Sequence, residues 1–287
     1  MAHIITFYQF ADFPEFASWQ LPLKQLMQQH QVKGTILLAA EGINATIAAE
    51  TQSQMQKVLE YILADARFAG MMLKESTAET VPFHRAKVRL KKETITLKLP
   101  SDVPSLTGQI LSPQAWNELL GNQEVVLLDT RNTYETHVGS FAGATIWPLN
   151  DFQELPEKIL QNIRKDQKVA MFCTGGVRCE KLSSWMLAEG YQEIYQLEGG
   201  IVHYLNTVPE PESKWQGECY VFDDRVAVGH GCQPSAEITL CPRCGHTLTP
   251  EDRLHPAWLP AIQCGYCEEE LQKSHHRNHF NAGTAAA

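Results

Sequence analysis

Hydrophobic positions fall into three successive regimes along the chain. From residue 4 to 99, period-two runs alternate with helical spacing. Residues 4–10 read as a strand, and 19–30 as a helix with Leu21, Leu23, Leu26 and Met27 apolar. Residues 34–39 and 45–48 form a hairpin pattern around Glu41-Gly42-Ile43-Asn44. Helical spacing returns over 52–64, with Met55, Val58, Leu59 and Ile62 on one face, and 86–90 is a last strand. The order β-α-β-β-α-β over 1–99 predicts a ferredoxin-like α+β domain. In the last strand Arg85, Lys87, Arg89 and Lys91 alternate with Ala86, Val88 and Leu90, which places the cations on one face. Beyond Lys92 the phase changes to Ile95, Leu97 and Leu99, so a turn or bulge is expected near 91–93.

Pro100, Pro104 and Gly108 mark a linker over 100–110. Ser112 then caps a helix over 113–120 with proline at its first position. Apolar strands at 125–128, 144–147, 169–172 and 193–197 alternate with helical stretches at 155–163 and 180–189. This pattern predicts a parallel α/β sheet over 111–212, covered on both faces. A small cysteine-rich segment over 213–275 follows, then a flexible tail over 276–287.

The 287 residues carry a formal charge of −9, so nucleic-acid binding needs a local basic patch. One exists: six basic residues and one acid lie between Arg85 and Lys98. That face reads either as merely solvated or as a contact for RNA phosphate through Arg85, Lys87, Arg89 and Lys91. No run of about 20 apolar residues is present, which argues against a membrane span. The N-terminus lacks the pattern of a signal peptide, so the cytoplasm is the expected compartment and the eight cysteines point to metal or redox roles. The oligomeric state is left open.

The chemistry concentrates in Cys173-Thr174-Gly175-Gly176-Val177-Arg178-Cys179. Cys173 stands where a strand ends and a helix begins, the ligand-binding end of such a sheet. Gly175 and Gly176 let the backbone turn its N–H groups toward the sulfur. The helix N-terminus and Arg178 add positive charge, and these conditions lower a thiol pKa. Cys-x4-Arg is one residue shorter than the Cys-x5-Arg loop that wraps phosphate in cysteine phosphatases, and it suits a persulfide or a similarly small anion. Cys173 is thus the candidate nucleophile or sulfur carrier, with Arg178 beside it. Cys179 is either a resolving thiol or a buried helix cysteine. Farther on, Cys241-x2-Cys244 and Cys264-x2-Cys267, 19 residues apart, have the spacing of a tetrahedral structural Zn2+ site; free or disulfide-bonded dithiols are the alternative. Cys219 and Cys232 receive no role.

The loop, with Asp129-Thr130-Arg131-Asn132 and Glu135 upstream, resembles the active-site region of rhodanese domains. Further segments narrow the resemblance: residues 33–44, residues 82–93, Cys173 through Lys181, and Gly217 through Arg225. Together they are similar to the rhodanese-domain tRNA uridine(34) hydroxylases over roughly residues 4 to 230. Ala45 and Ala49 stand where that family usually has glycine. The resemblance implies oxygen-dependent conversion of the wobble uridine, in the anticodon region of tRNA, to 5-hydroxyuridine, with Cys173 essential and O2 as co-substrate. No flavin, dinucleotide or P-loop motif appears, nor a local signature for a 2-His-1-carboxylate iron site, so the residues do not account for oxygen activation. Loop chemistry alone also fits a thiosulfate or persulfide sulfurtransferase. A noncatalytic RNA-binding module is the third reading, opposed by intact Cys173 and Arg178.

Overall fold

A computed structural model of the chain describes residues 1–100, 103, 105–122 and 124–267. It divides into two compact units, Met1–Pro234 and Ser235–Ala287. The tail read at 276–287 lies outside the described residues.

The first unit begins with β1 (Ala2–Phe10), α1 (Gln20–Gln29), β2 (Lys33–Ala39), β3 (Gly42–Ala49), α2 (Gln52–Leu63), β4 (Lys74–Ala78) and β5 (Ala86–Leu90). Thr51 opens α2 with a capping box closed by Gln54, which satisfies two otherwise orphaned amides. The sheet order is β4-β1-β3-β2-β5. β1, β3, β2 and β4 pair antiparallel throughout, as in a ferredoxin-like unit. The closing strand of that unit is β4, however, and not the strand expected at 86–90. β4 reads Lys-Glu-Ser-Thr-Ala, with no apolar alternation to betray it, and backbone pairing to β1 makes it a strand. β5 is an added edge strand, parallel to β2, and the chain leaves the sheet after it. Val88 is buried while Arg85, Lys87, Arg89 and Lys91 are exposed as the alternation requires; Leu90 is exposed as well.

The second half of this unit holds β6 (Gln109–Leu111), α3 (Pro113–Asn122), β7 (Val126–Asp129), α4 (Thr133–Thr136), β8 (Gly139–Phe141), α5 (Leu155–Asn162), β9 (Lys168–Phe172), α6 (Val177–Ala188), β10 (Glu193–Leu197) and α7 (Gly200–Thr207). β6 begins inside the stretch read as linker. The four-stranded sheet is parallel, in the order β6-β10-β9-β7. The strand expected at 144–147 is reduced to one bridge, Leu128 with Thr145. Pro148 follows closely and has no N–H to extend the ladder. β9 is central, and its side chains alternate between two cores. Val169 and Met171 pack with Leu182 and Met186 of α6, and Ala170 and Phe172 pack with Ile201 and Tyr204 of α7. Burying each large apolar side chain contributes about 1.5–3 kcal/mol.

Leu97, with Ile95 and Leu99, joins the core under α6, so the segment after β5 crosses from one sheet to the other. The crossing is locked by Lys181 of α6, which is almost fully buried. Its Nζ donates to Glu41 Oε1 and Oε2 at 2.9 and 2.8 Å, to Glu93 Oε2 at 2.6 Å and to the Ile95 carbonyl at 3.0 Å. Glu41 also accepts from the Thr94 amide and hydroxyl.

Downstream, β11 (Trp215–Gly217) pairs with β8, and β12 (Cys219–Tyr220) with β13 (Ala227–Val228). Arg225 is bound by Asp223 and reaches Ser76 Oγ at 3.0 Å, returning the chain to the first sheet. No helix among the described residues is long and apolar enough to cross a membrane. The second unit carries a short hairpin, β14 (Thr239–Leu240) and β15 (Thr247–Leu248).

Candidate active site

Cys173 follows β9 directly, and α6 starts four residues later, at Val177. Gly176 is the N-cap at φ +99°, a conformation that favours glycine, and its amide donates to Cys173 Sγ at 3.1 Å. The outer side of the loop rests on the start of α7, where the Ile201 and Val202 amides donate to the carbonyls of Cys173 and Thr174. A Cβ on Gly200 would come within 2.5 Å of the Cys173 carbonyl oxygen, so only glycine allows this approach.

The Cys173 thiol is held well below the ordinary thiol range. Burial alone would push it up. A hydrogen bond from the Cys179 thiol, the Arg178 guanidinium, and the amides of Cys179 and Gly176 outweigh burial. Cys179 moves the opposite way, raised by burial and by the neighbouring Cys173 sulfur; its Sγ lies 3.6 Å from Thr130 Oγ1.

Arg178 acts on the sulfur through charge while its guanidinium is anchored elsewhere. Nη1 and Nη2 donate to Glu135 Oε2 and Oε1, both at 2.6 Å. Thr174 Oγ1 also donates to Glu135 Oε1, at 3.1 Å. Glu135 is fully buried, and Arg178, which outweighs the cost of that burial, keeps its carboxyl ionised below the usual range. The sequence placed Glu135 only among residues of a resemblance, without a role.

The first domain closes the other side. Tyr8 Oη donates to Glu180 Oε2 at 2.7 Å, and Lys74 Nζ donates to the Gly175 carbonyl at 3.0 Å. Neither Tyr8 nor Lys74 was found from the sequence; a lysine in a polar pentapeptide gives no signal.

Cys173 is only 1% exposed, yet it lines a cleft of about 500 Å3 between the two sheets. Asn44, Thr46, Phe83, Tyr134, Phe152 and Phe222 form much of the wall, with Thr174, Gly175, Val177 and Arg178 of the loop. Asn44 thus reaches the site, whereas Glu41 is spent on Lys181 and Thr94. A second cleft, of about 590 Å3, is lined by Arg85, Lys87 and Arg89. It shares Thr35, Phe83, Phe222 and Asp223 with the first. Lys91 is exposed outside both lining sets.

In the separate C-terminal unit, the sulfurs of Cys241, Cys244, Cys264 and Cys267 all lie within 4.8 Å of one another. The Cys241–Cys267 and Cys244–Cys264 pairs are 3.6 Å apart and Cys264–Cys267 3.7 Å, far beyond a disulfide bond. A regular tetrahedron of sulfurs with Zn–S near ~2.3 Å has edges of about 3.8 Å, so the donor set fits such an ion. Cys219 and Cys232 are buried in the core under α7, apart from these four.

Two domain classes define this architecture. A profile for the UPF0176 acylphosphatase-like domain matches residues 2–94, and one for the rhodanese-like domain matches 112–207. A crystal structure of a rhodanese-like domain protein from Staphylococcus aureus is 26% identical, covering 33% of this chain and 90% of that one, with a TM-score of 0.29. Whole-chain relatives are more specific. A tRNA uridine(34) hydroxylase from Picosynechococcus sp. is 44% identical over 97% of this chain and 94% of its own length. One from Acaryochloris marina is 43% identical over 94% and 89%. The chain belongs to the tRNA uridine(34) hydroxylase family.

Proposed function

We propose that this protein is a cytoplasmic enzyme that hydroxylates uridine 34 of tRNA to 5-hydroxyuridine, with O2 as co-substrate and Cys173 as the reactive group. The observation that carries the reading is the placement of Cys173, its sulfur met by the Gly176 amide beside Cys179 and Arg178, at the wall of a nucleotide-sized cleft that adjoins a cleft lined by Arg85, Lys87 and Arg89. A base inside a folded anticodon loop must leave its stack to be modified. The aromatic rings of Phe83, Tyr134, Phe152 and Phe222 offer faces for such a base. Arg85, Lys87 and Arg89 then track the flanking phosphates, with Lys91 beyond them. Arg178 sustains the charge of the sulfur, Thr174 to Val177 form its cradle, and Cys179 donates to it and is the nearest candidate to resolve an oxidised form. Cys241, Cys244, Cys264 and Cys267 would hold one structural Zn2+, which ties together a segment with little apolar core of its own.

The test is genetic and chemical. In a strain lacking the gene, nucleoside mass spectrometry should find 5-hydroxyuridine derivatives lost from tRNA, restored by the wild-type gene and not by Cys173→Ser. Unchanged modification together with thiosulfate activity in vitro would transfer the case to a sulfurtransferase, the reading the Cys-x4-Arg loop favours by itself. Rescue by Cys173→Ser would leave a noncatalytic RNA-binding module.

A further inference from the structure

Lys74 is the one side chain at the loop whose cost the fold does not otherwise explain. It is 5% exposed, on an edge strand of the first domain. Among the described residues it makes a single hydrogen bond, to the Gly175 carbonyl, and no ion pair. Its Nζ also stands 4.8 Å from the centre of the Tyr8 ring, a cation–π contact. A buried ammonium usually has a carboxylate partner, because an unpaired one is expensive. Here the burial depresses its affinity for a proton to a pKa of about 8, while the Cys173 sulfur and Glu180 pull the other way. It therefore still carries its charge at neutral pH.

We propose that Lys74 is a positioning residue of the reaction centre: it holds the Gly175 carbonyl outward, so that the loop amides face Cys173, and lends the anionic sulfur a second positive charge. The rhodanese-like half thus borrows part of its site from the first domain. The charged and titratable groups around Lys74 are Tyr8 on β1, Cys173 and Glu180 on the loop and α6, and His203 on α7, whose proton affinity is lowered mainly by burial. The 3-10 turn His230–Cys232 contacts the same strand. The inference rests on Cys173 being the reactive sulfur, and not on tRNA being the substrate.

The experiment is the pH dependence of iodoacetamide alkylation at Cys173 in the full-length protein, followed by peptide mass spectrometry. Wild type should show a midpoint well below that of an ordinary thiol; an ordinary midpoint would refute the reactive-sulfur reading itself. In Lys74→Met the midpoint should rise by about one pH unit, the size of effect of one nearby charge. Lys74→Arg should keep the wild-type midpoint. Lys74→Gln, which retains a donor but no charge, should behave like Lys74→Met and decides the matter if that variant fails to fold. A folded, uncharged variant with the wild-type midpoint would overturn the proposal.

Discussion

Cys173 and the pair Cys219–Cys232 are equally buried thiols in the same unit, and their surroundings drive them in opposite directions. At Cys219 burial dominates and pushes the thiol up to about 12, and at Cys232 it pushes it up to about 11. Cys232 Sγ lies 3.3 Å from Val202 O, a carbonyl that stabilises the protonated form, and the charges of Arg225 near Cys232 and Arg131 near Cys219 do not offset burial. At Cys173 the same burial is overturned by amides, a thiol donor and a guanidinium. Burial therefore does not by itself fix the direction in which a buried thiol shifts. The count of donors and cations aimed at the sulfur does.

The largest test of this contrast is selective labelling. At pH 7 Cys173 should react with iodoacetamide at least ~10³-fold faster than Cys219 or Cys232, since the thiolate is the nucleophile. Equal rates by peptide mapping would erase the distinction. Next in size, Arg178→Met should remove one of the influences that hold the Cys173 thiol down and leave Glu135 buried without its hydrogen-bonded ion-pair partner. Breaking such a pair costs about 3–5 kcal/mol, readable by urea unfolding. Adding Glu135→Gln should recover part of that loss; simple additivity would show that the two do not act as a pair. The smallest effect concerns pH. Cys219 and Cys232 have raised thiol pKa values in the fold, so above ~8.5 the unfolded chain ionises first and stability falls, by at most about 1.4 kcal/mol per pH unit for each thiol. Cys173, depressed in the fold, has the opposite sign: its contribution is complete above ~8.5 and is lost as pH falls through its folded value. Cys219→Ala should flatten the alkaline decline, and a decline of unchanged slope would count against the assignment.

Only the Cys173 side of this contrast was readable in the sequence, which assigned Cys219 and Cys232 no role. A strand, a glycine pair, an arginine and a helix at fixed spacing placed Cys173 at a sheet's ligand end, because that chemistry is local. The two Cys-x2-Cys pairs announced their cluster for the same reason. What stayed hidden depends on distant partners. Glu135 lies 43 residues from Arg178, and Lys74 lies 101 residues from Gly175. β4 was missed because an edge strand needs only backbone bonds. α7 was missed because the double glycine at its start reads as a break, whereas Gly200 is what permits close approach to the Cys173 loop. The basic strand was read correctly for its exposed cations, yet its place beside β2 follows from pairing that no local pattern encodes.

The Lys181 cluster bears on how the first unit can be taken apart. An ammonium sealed among two carboxylates and a carbonyl, drawn from three separate stretches of chain, works as a rivet between the two sheets. A protease that severs the backbone after Pro100 should therefore yield two fragments that travel as one particle through gel filtration. Replacing Lys181 should loosen that association, leaving the contacts of Tyr8 with Glu180, Lys74 with Gly175 and Arg225 with Ser76 to hold the fragments together.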